Sequence, residues 1–140
     1  MKHRIVLFQS KIPKDILENC QYYLKQLPKH WGTEILPSAS QQHYTQQLKR
    51  PQVLNVGLDR QGQDLSTLEF HQWLIGHQKN FKQIQFFIGS DMDIPENVAN
   101  QLKIHLSLSK LTFPHMQSLV ILVEQIYRAY TIESNKAYHK

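Results

Sequence analysis

The chain alternates short apolar runs with segments in which apolar residues recur at every third or fourth position. Most of these runs lack polar alternation, which is typical of strands that are covered on both faces of a sheet. They predict five strands, at "RIVLF" (4–8), "TEILP" (33–37), "VLNVGLD" (53–59), "IQFFIGS" (84–90) and "HLSLS" (105–109).

The segments between and after the strands predict helices, from the positions of their prolines, capping residues and apolar period. These helices run from Pro13 to Leu27, onward from Ser66 or Thr67, over 95–103, and onward from Pro114. The connection 38–50 is polar and predicts a loop or at most a marginal helix. The stretch "DRQG" (59–62) predicts a turn.

Strands of this apolar type, separated by helices, predict an α/β fold. We expect a five- to six-stranded, mostly parallel sheet with helices on both faces. In such sheets, ligands bind beyond the carboxyl ends of the strands, where the strand order reverses. Three of these ends are chemically distinctive: "GLDRQG" (57–62), "GSDMD" (89–93) and "SKLTFP" (109–114).

The last helix carries apolar residues on more than one side. One set follows the helical period and would cover the sheet: Met116, Leu119, Val120, Val123, Ile126, Tyr127 and Tyr130. Ile121 and Leu122 lie on another side. A helix with two apolar faces has to bury both, which predicts a homodimer interface; the alternative is that a loop covers the second face. Glu124 and Arg128 are four positions apart and predict a local ion pair.

Length and composition indicate the number of domains and the cellular location of the protein. Its 140 residues, 41% hydrophobic and 19% charged, predict a single domain spanning 1–140. No apolar run approaches the ~20 residues of a membrane span, and the amino terminus does not have the pattern of a signal peptide. We therefore expect a cytoplasmic protein. Sixteen Lys and Arg against eleven Asp and Glu give a net charge of +5, which suits a polyanionic partner or a solvated surface.

Several common catalytic motifs are absent from the sequence. It contains no GxxxxGK[ST], GxGxxG, HExxH or GxSxG, and its eight histidines show no metal-ligand spacing. Asp91 and Asp93 predict a turn rather than acid–base chemistry. What remains is a site of backbone amides and apolar side chains, which would suit an adenine and a thioether or sulfonium and would need no metal.

Three stretches carry a family resemblance: "LSLSKLTFPH", "EQIYRAYTI" and the terminal "YHK". They closely resemble the RlmH family of ribosomal RNA large-subunit methyltransferases, which are small SPOUT-class proteins. The likeness extends more thinly to "YYLKQLPK", "LDRQG" and "FFIGS". The resemblance implies a SPOUT-like sheet with a C-terminal trefoil knot. It also implies a homodimer that uses S-adenosylmethionine to methylate N3 of a pseudouridine in large-subunit rRNA.

The resemblance also implies roles for individual residues. The residues expected to bind the cofactor are Leu58, Gly89, Ser90, Ser109, Lys110, Leu111, Thr112, Phe113 and Pro114. Those expected to face the RNA are Arg128, Tyr138, His139 and Lys140. His139 is also the candidate general base, because histidine accepts or relays protons near neutral pH; the alternative is that it only contacts phosphate.

The sequence departs from the family at three places. Ser90 and Asp93 stand where the family usually has glycines, and a left-handed backbone there would cost a non-glycine residue about 1–2 kcal/mol. The connection before Val53 is shorter, and Leu119 stands where an arginine is usual. These departures leave open a divergent RNA methyltransferase and a non-catalytic knotted dimer that binds RNA or the ribosome. The second hypothesis predicts an occluded pocket at 90–93. A flavodoxin-like binding module is a third possibility.

Overall fold

The sheet is built from five strands among residues 2–90 and 93–139, which are the residues that the computed structural model describes. The strands are β1 (His3–Leu7), β2 (Thr33–Pro37), β3 (Val53–Asp64), β4 (Gln83–Ile88) and β5 (Ile104–Ser107). They pair in the order β2-β1-β4-β3-β5, and every pairing between neighbours is parallel. The predicted α/β fold and parallel sheet are confirmed, with the lower of the two predicted strand numbers. The trefoil knot stays a prediction.

Helices connect the strands and close the chain. They are α1 (Lys14–Leu24), α2 (Gln41–Gln46), α3 (Thr67–Asn80), α4 (Glu96–Ala99) and α5 (His115–Glu133), with short 3₁₀ turns at Lys29–Trp31 and Gln47–Lys49. Of the two candidate caps of α3, Ser66 is the one used. Its hydroxyl accepts from the Glu69 amide at 3.1 Å, and the Glu69 carboxylate accepts from the Ser66 amide at 2.8 Å.

The sheet buries both of its faces, as the apolar runs predict. Because successive strand side chains point to opposite faces, Ile5 and Leu7 enter one core cluster and Val6 enters another. The larger cluster includes side chains of α1, α3 and α5, and the smaller one includes Tyr44 of α2 and Val98 of α4. The carboxyl ends of the strands therefore open between two helical layers.

The polar connection 38–50 contains a short helix, within the range of the prediction. Ser40 caps α2 by accepting from the His43 amide at 3.1 Å. Tyr44 is fully buried, and its hydroxyl donates to the carbonyl of Ile88 at 3.1 Å. One buried aromatic side chain thus fixes an otherwise polar segment to the end of β4.

The strand β3 does not end at the predicted turn "DRQG" but runs to Asp64. Its pairing with β5 is interrupted at the turn, where the Asp59 carboxylate accepts from the Gln61 amide at 2.9 Å. Leu58 and Gln63 both pair with Leu106 of β5, so the chain leaves β5 after Leu58 and returns to the same place. Gly62 allows this return. A β-carbon at Gly62 would lie 2.6 Å from the carbonyl carbon of Leu106, closer than a side chain tolerates.

The last helix packs against α1 and α3 within the chain. Leu122, which the sequence predicts on a second apolar face, is fully buried there, while Ile121 is half-buried. Part of the surface that predicted a dimer is therefore covered by the chain itself. Leu119 is also fully buried, in the core. Among the described residues, no helix is long and apolar enough to cross a membrane.

Candidate functional site

The three distinctive strand ends meet around one cavity of about 560 Å³, which we call the strand-end cavity. Its walls include Leu58 from β3, Gly89 and Ser90 after β4, and the loop between β5 and α5. Of the residues predicted to bind a cofactor, the structure brings together Leu58, Gly89, Ser90, Ser109, Leu111, Thr112, Phe113 and Pro114. The walls combine aliphatic and aromatic side chains with hydroxyls and exposed backbone.

Local hydrogen bonds shape the loop between β5 and α5. The Ser107 hydroxyl donates to the Ser109 carbonyl at 2.8 Å, and the Ser109 hydroxyl accepts from the Leu111 amide at 3.0 Å. Pro114 is the N-cap of α5, so the loop ends where the helix begins. The serines thus fold the loop back on itself, and the Leu111 side chain is left 71% exposed.

The segment after β4 closes the other side of the cavity. Ser90 and Asp93 form an antiparallel bridge in which the Asp93 amide donates to the Ser90 carbonyl at 3.2 Å. The bridge brings Asp93 so close to Gly89 that a β-carbon at Gly89 would lie 2.2 Å from the Asp93 carbonyl carbon. Asp93 itself has a φ of 91°, in the left-handed region. The strain predicted for the two glycine replacements therefore falls on Asp93. Asp91 lies outside the described residues.

Lys110 is the one residue predicted to bind the cofactor that does not line the strand-end cavity. It lines an adjoining depression of about 810 Å³, which we call the side cleft. The side cleft shares Asp59, Arg60 and Asp93 with the strand-end cavity. Thr112 also borders both, and its hydroxyl accepts from the Arg60 guanidinium at 3.2 Å. Lys110 and its neighbours in sequence thus face different spaces.

His115 is a cavity residue that was not predicted as part of the site. It is the first residue of α5, and its Nε2 forms a hydrogen bond with Oε1 of Gln9, which follows β1. The Gln9 amide nitrogen donates to the Lys11 carbonyl at 2.6 Å, so its oxygen is the atom that accepts. The signal in the sequence is only the position of His115 directly after the capping proline.

Three of the predicted RNA-facing residues, Arg128, Tyr138 and His139, form a second group together with Glu124, which we call the C-terminal cluster. The predicted ion pair is confirmed, with a guanidinium nitrogen of Arg128 2.7 Å from a Glu124 carboxylate oxygen. The Tyr138 hydroxyl donates to that carboxylate at 2.8 Å, and the Arg128 guanidinium lies 4.9 Å from the centre of the Tyr138 ring. Arg128 also donates to Nδ1 of His139 at 3.1 Å. Lys140 lies outside the described residues.

Electrostatics in the C-terminal cluster raise the pKa values of two of its side chains, Tyr138 and Arg128. Desolvation, followed by the hydrogen bond to Glu124, raises the pKa of the Tyr138 hydroxyl well above its usual range. The same carboxylate raises the pKa of the Arg128 guanidinium. Tyr138 is thus a hydrogen-bond donor at neutral pH and not a base.

The structure does not bring His139 to the strand-end cavity of its own chain. Ser118 lines that cavity, and Arg128, which holds His139, lies ten residues further along the same helix. At a rise of 1.5 Å per residue, this corresponds to about 15 Å. The two groups of predicted site residues are therefore separate within one protomer. Among the described residues, no group of three or more His, Cys, Asp or Glu side chains could hold a metal ion.

Comparison with known sequences gives the chain a family. The family model described as "Predicted SPOUT methyltransferase" matches residues 1–139. A protein of Prochlorococcus marinus subsp. pastoris named ribosomal RNA large subunit methyltransferase H is 32% identical, over 94% of this chain and 90% of its own length. A protein of Methylobacillus flagellatus with the same name is 27% identical, over 100% of this chain and 99% of its own length.

Comparison with solved structures supports the fold. A probable methylase family protein from Haemophilus influenzae superposes with a TM-score of 0.60, covering 99% of this chain and 70% of that one at 11% identity. The SpoU methyltransferase AviRb from Streptomyces viridochromogenes, solved in complex with AdoMet, gives a TM-score of 0.55 over 91% of this chain and 57% of its own, at 9% identity. The family match and the relatives that cover nearly its whole length establish that this chain belongs to the SPOUT methyltransferase family and, within it, to the RlmH group.

Proposed function

We propose that this protein is an S-adenosylmethionine-dependent methyltransferase that modifies N3 of a pseudouridine in large-subunit ribosomal RNA. The observation that carries the proposal is the strand-end cavity, in which segments from β3, β4 and the β5–α5 loop converge. The relatives' names supply the RNA class, and the family resemblance supplies the atom that is methylated. A ribosomal substrate would place the protein in the cytoplasm.

The residues of the strand-end cavity fit S-adenosylmethionine. Its volume of about 560 Å³ lies within the roughly 300–1,000 Å³ of small-molecule sites, and its walls combine apolar side chains with hydroxyl and charged groups. Leu58, Leu111 and Phe113 would contact the adenine and the sulfonium, while the backbone of Ser90 would allow close approach. The cofactor supplies an electrophilic methyl group on a sulfonium. The chain has to hold that group in line with the nucleophile and exclude water.

The proton on N3 has to leave for methylation to occur, and His139 is our candidate acceptor. Nδ1 of His139 accepts from Arg128, so the neutral ring carries its proton on Nε2. To act as a base at Nδ1, His139 has to exchange its contact with Arg128 for one with the nucleotide. Arg128 and Tyr138 would then contact the RNA, and Lys140 is proposed to do the same.

A second copy of the chain would bring the C-terminal cluster to the site. The cluster lies about 15 Å along α5 from the strand-end cavity of its own protomer, so His139 cannot reach a nucleotide bound there without rearrangement. We propose a homodimer in which the tail of one protomer meets the strand-end cavity of the other. The half-buried Ile121 is a residue of α5 available for such a contact.

A non-catalytic RNA-binding dimer is the alternative, and it predicts an occluded cavity at 90–93. Ser90 and Asp93 line the strand-end cavity without filling it, which favours the methyltransferase. The strained backbone of Asp93 is the observation that favours the non-catalytic dimer.

Calorimetry with S-adenosylmethionine, and with S-adenosylhomocysteine in parallel, tests the proposal first. We expect micromolar binding with one site per protomer or per dimer. Radiolabelled methyl transfer to ribosomes that lack this methyl group, followed by mapping of the modified nucleotide, then tests the substrate. A folded protein that binds neither compound would contradict the methyltransferase proposal and leave RNA binding as the function to examine.

A further inference from the structure

The side cleft offers a second binding surface directly beside the strand-end cavity. Its volume is about 810 Å³, and the two depressions share a wall formed by Asp59, Arg60, Asp93 and Thr112. A group bound in the side cleft would therefore touch whatever fills the cavity mouth. The polar side chains that line the cleft are suited to a charged ligand rather than an apolar one.

Two cations of the side cleft are free to bind an anion. Arg60 and Lys110 are both exposed, and within residues 2–90 and 93–139 neither lies within ion-pair distance of a carboxylate. Arg60 is oriented by its hydrogen bond to Thr112 at 3.2 Å, which uses one of its five donors. The remaining donors suit the paired oxygens of a phosphate, a geometry that guanidinium groups favour.

One of the two acidic side chains in the side cleft is already engaged. Oδ2 of Asp59 lies 2.5 Å from Nδ1 of His105, and Nε2 of His105 lies 3.0 Å from the carbonyl oxygen of Leu102. The other oxygen of Asp59, Oδ1, accepts from the Gln61 amide at 2.9 Å, so both carboxylate oxygens have partners. The second acidic side chain of the cleft is Asp93.

The carboxylate of Asp93 affects where an anion can bind in the side cleft. Its carboxylate lies on the wall shared with the strand-end cavity and has no hydrogen-bonded or ionic partner among the described residues. A phosphate in the side cleft would be repelled by Asp93 and attracted by Arg60, which lies on the same wall, and by Lys110, which lines the side cleft and not the strand-end cavity. The position of Lys110 therefore favours a charged group in the side cleft, outside the strand-end cavity.

We propose that the side cleft binds the RNA phosphodiester next to the target nucleotide, with Arg60 and Lys110 as positioning residues. The inference rests on the proposed function, since a base that enters a cavity has to leave its stack, and its flanking phosphates then lie outside the mouth. Phosphate contacts of this kind fix the register of an RNA without reading its sequence. Lys110 is thereby assigned to the RNA and not to the cofactor.

The test is a sedimentation assay of Arg60→Gln and Lys110→Gln with purified bacterial ribosomes over a series of KCl concentrations, with cofactor affinity measured separately by calorimetry. Lys79→Gln is the matched control, because Lys79 is an exposed cation near the end of α3, just before β4 begins, whereas the cleft lies beyond the carboxyl ends of the strands. We expect about tenfold weaker ribosome binding for each cleft variant. We also expect a salt slope reduced by about 0.7–0.9 per lost contact. Cofactor affinity should be unchanged in Lys110→Gln, because Lys110 does not line the strand-end cavity.

Two results would overturn the inference: cleft variants that bind ribosomes as Lys79→Gln does, and a Lys110→Gln variant that loses cofactor affinity while keeping ribosome affinity. The assay does not depend on methyl transfer. A wild-type protein that binds ribosomes through Arg60 and Lys110 but binds no cofactor would support the cleft and contradict the proposed activity. A wild-type protein that binds no ribosome would contradict the proposed RNA-binding role of the side cleft.

Discussion

The amide of Asp93 donates to the carbonyl of Ser90 at 3.2 Å, and this bridge coincides with a left-handed backbone at Asp93, with a φ of 91°. The chain keeps this closure after β4 although a residue with a side chain occupies the strained position. Gly89 cannot be replaced by a residue with a side chain in this conformation, because a β-carbon there would overlap the Asp93 backbone. The segment therefore stores strain at a wall of the proposed binding site.

Replacing Asp93 with glycine should relieve that strain. We expect Asp93→Gly to raise the free energy of unfolding by up to about 1 kcal/mol relative to Asp93→Ala, which keeps a β-carbon and loses the carboxylate. Urea denaturation of the three proteins measures the difference. Equal stabilities for the alanine and glycine variants would mean that the backbone is not strained at this position.

Close backbone approach at Gly62 should make that glycine indispensable. A β-carbon there meets the Leu106 backbone at 2.6 Å, whereas a β-carbon at Gly76, inside α3, has nothing within 4 Å. We expect Gly62→Ala to lose more than about 2 kcal/mol of unfolding free energy, since neither backbone can yield easily. Gly76→Ala should gain about 0.5–1 kcal/mol from helix propensity. Thermal and urea unfolding test both. A mild effect at Gly62 would contradict the return of β3 over β5.

A buried histidine should make stability depend on pH. His3 is fully buried, with its ring nitrogens 3.0 Å from the Thr33 hydroxyl and 2.9 Å from the Gln78 amide nitrogen. The Gln78 amide donates to Nε2, so the ring is neutral. Desolvation lowers the pKa of His3 from its ordinary 6.5 to about 3. Below pH 6.5 the unfolded chain takes up a proton that the folded chain refuses. The contribution of His3 is therefore complete above pH 6.5 and is lost as the pH falls toward 3.

The expected slope from His3 is about 1.4 kcal/mol of unfolding free energy per pH unit within that window. Other groups titrate there too, so the measurement is the difference in slope between the wild type and His3→Gln, from urea unfolding at several pH values. Parallel slopes for the two proteins would contradict a neutral, buried His3.

The sheet and the position of the site could be predicted from the sequence, because strands buried on both faces appear as apolar runs whose carboxyl ends meet. The extension of β3 to Asp64 could not be predicted, since Arg60, Gln61 and Gly62 are polar or small. The strand resumes after them only because Gln63 and Asp64 pair with β5. His115 and the side cleft were missed for a related reason. Lys110 and Thr112 are neighbours in sequence, but only the folded loop shows that Lys110 faces the cleft alone while Thr112 borders both spaces.

Replacing His139 distinguishes two roles for this residue, base catalysis and RNA contact, because the two roles affect different kinetic constants. If His139 takes the N3 proton, His139→Gln should lower kcat by about 10²–10⁴-fold, with cofactor affinity unchanged. If it only contacts phosphate, the change should appear in KM for ribosomes. Methyl-transfer kinetics with ribosomes as substrate distinguish the two, and His30→Gln, at an exposed histidine before β2, controls for loss of a histidine elsewhere.

Arg128→Lys tests the same role of His139 from its partner. The substitution removes the planar donor that now occupies Nδ1 of His139, and it should change kcat in the same assay if His139 acts through that atom. An unchanged kcat in both variants would assign proton removal to another group or to water.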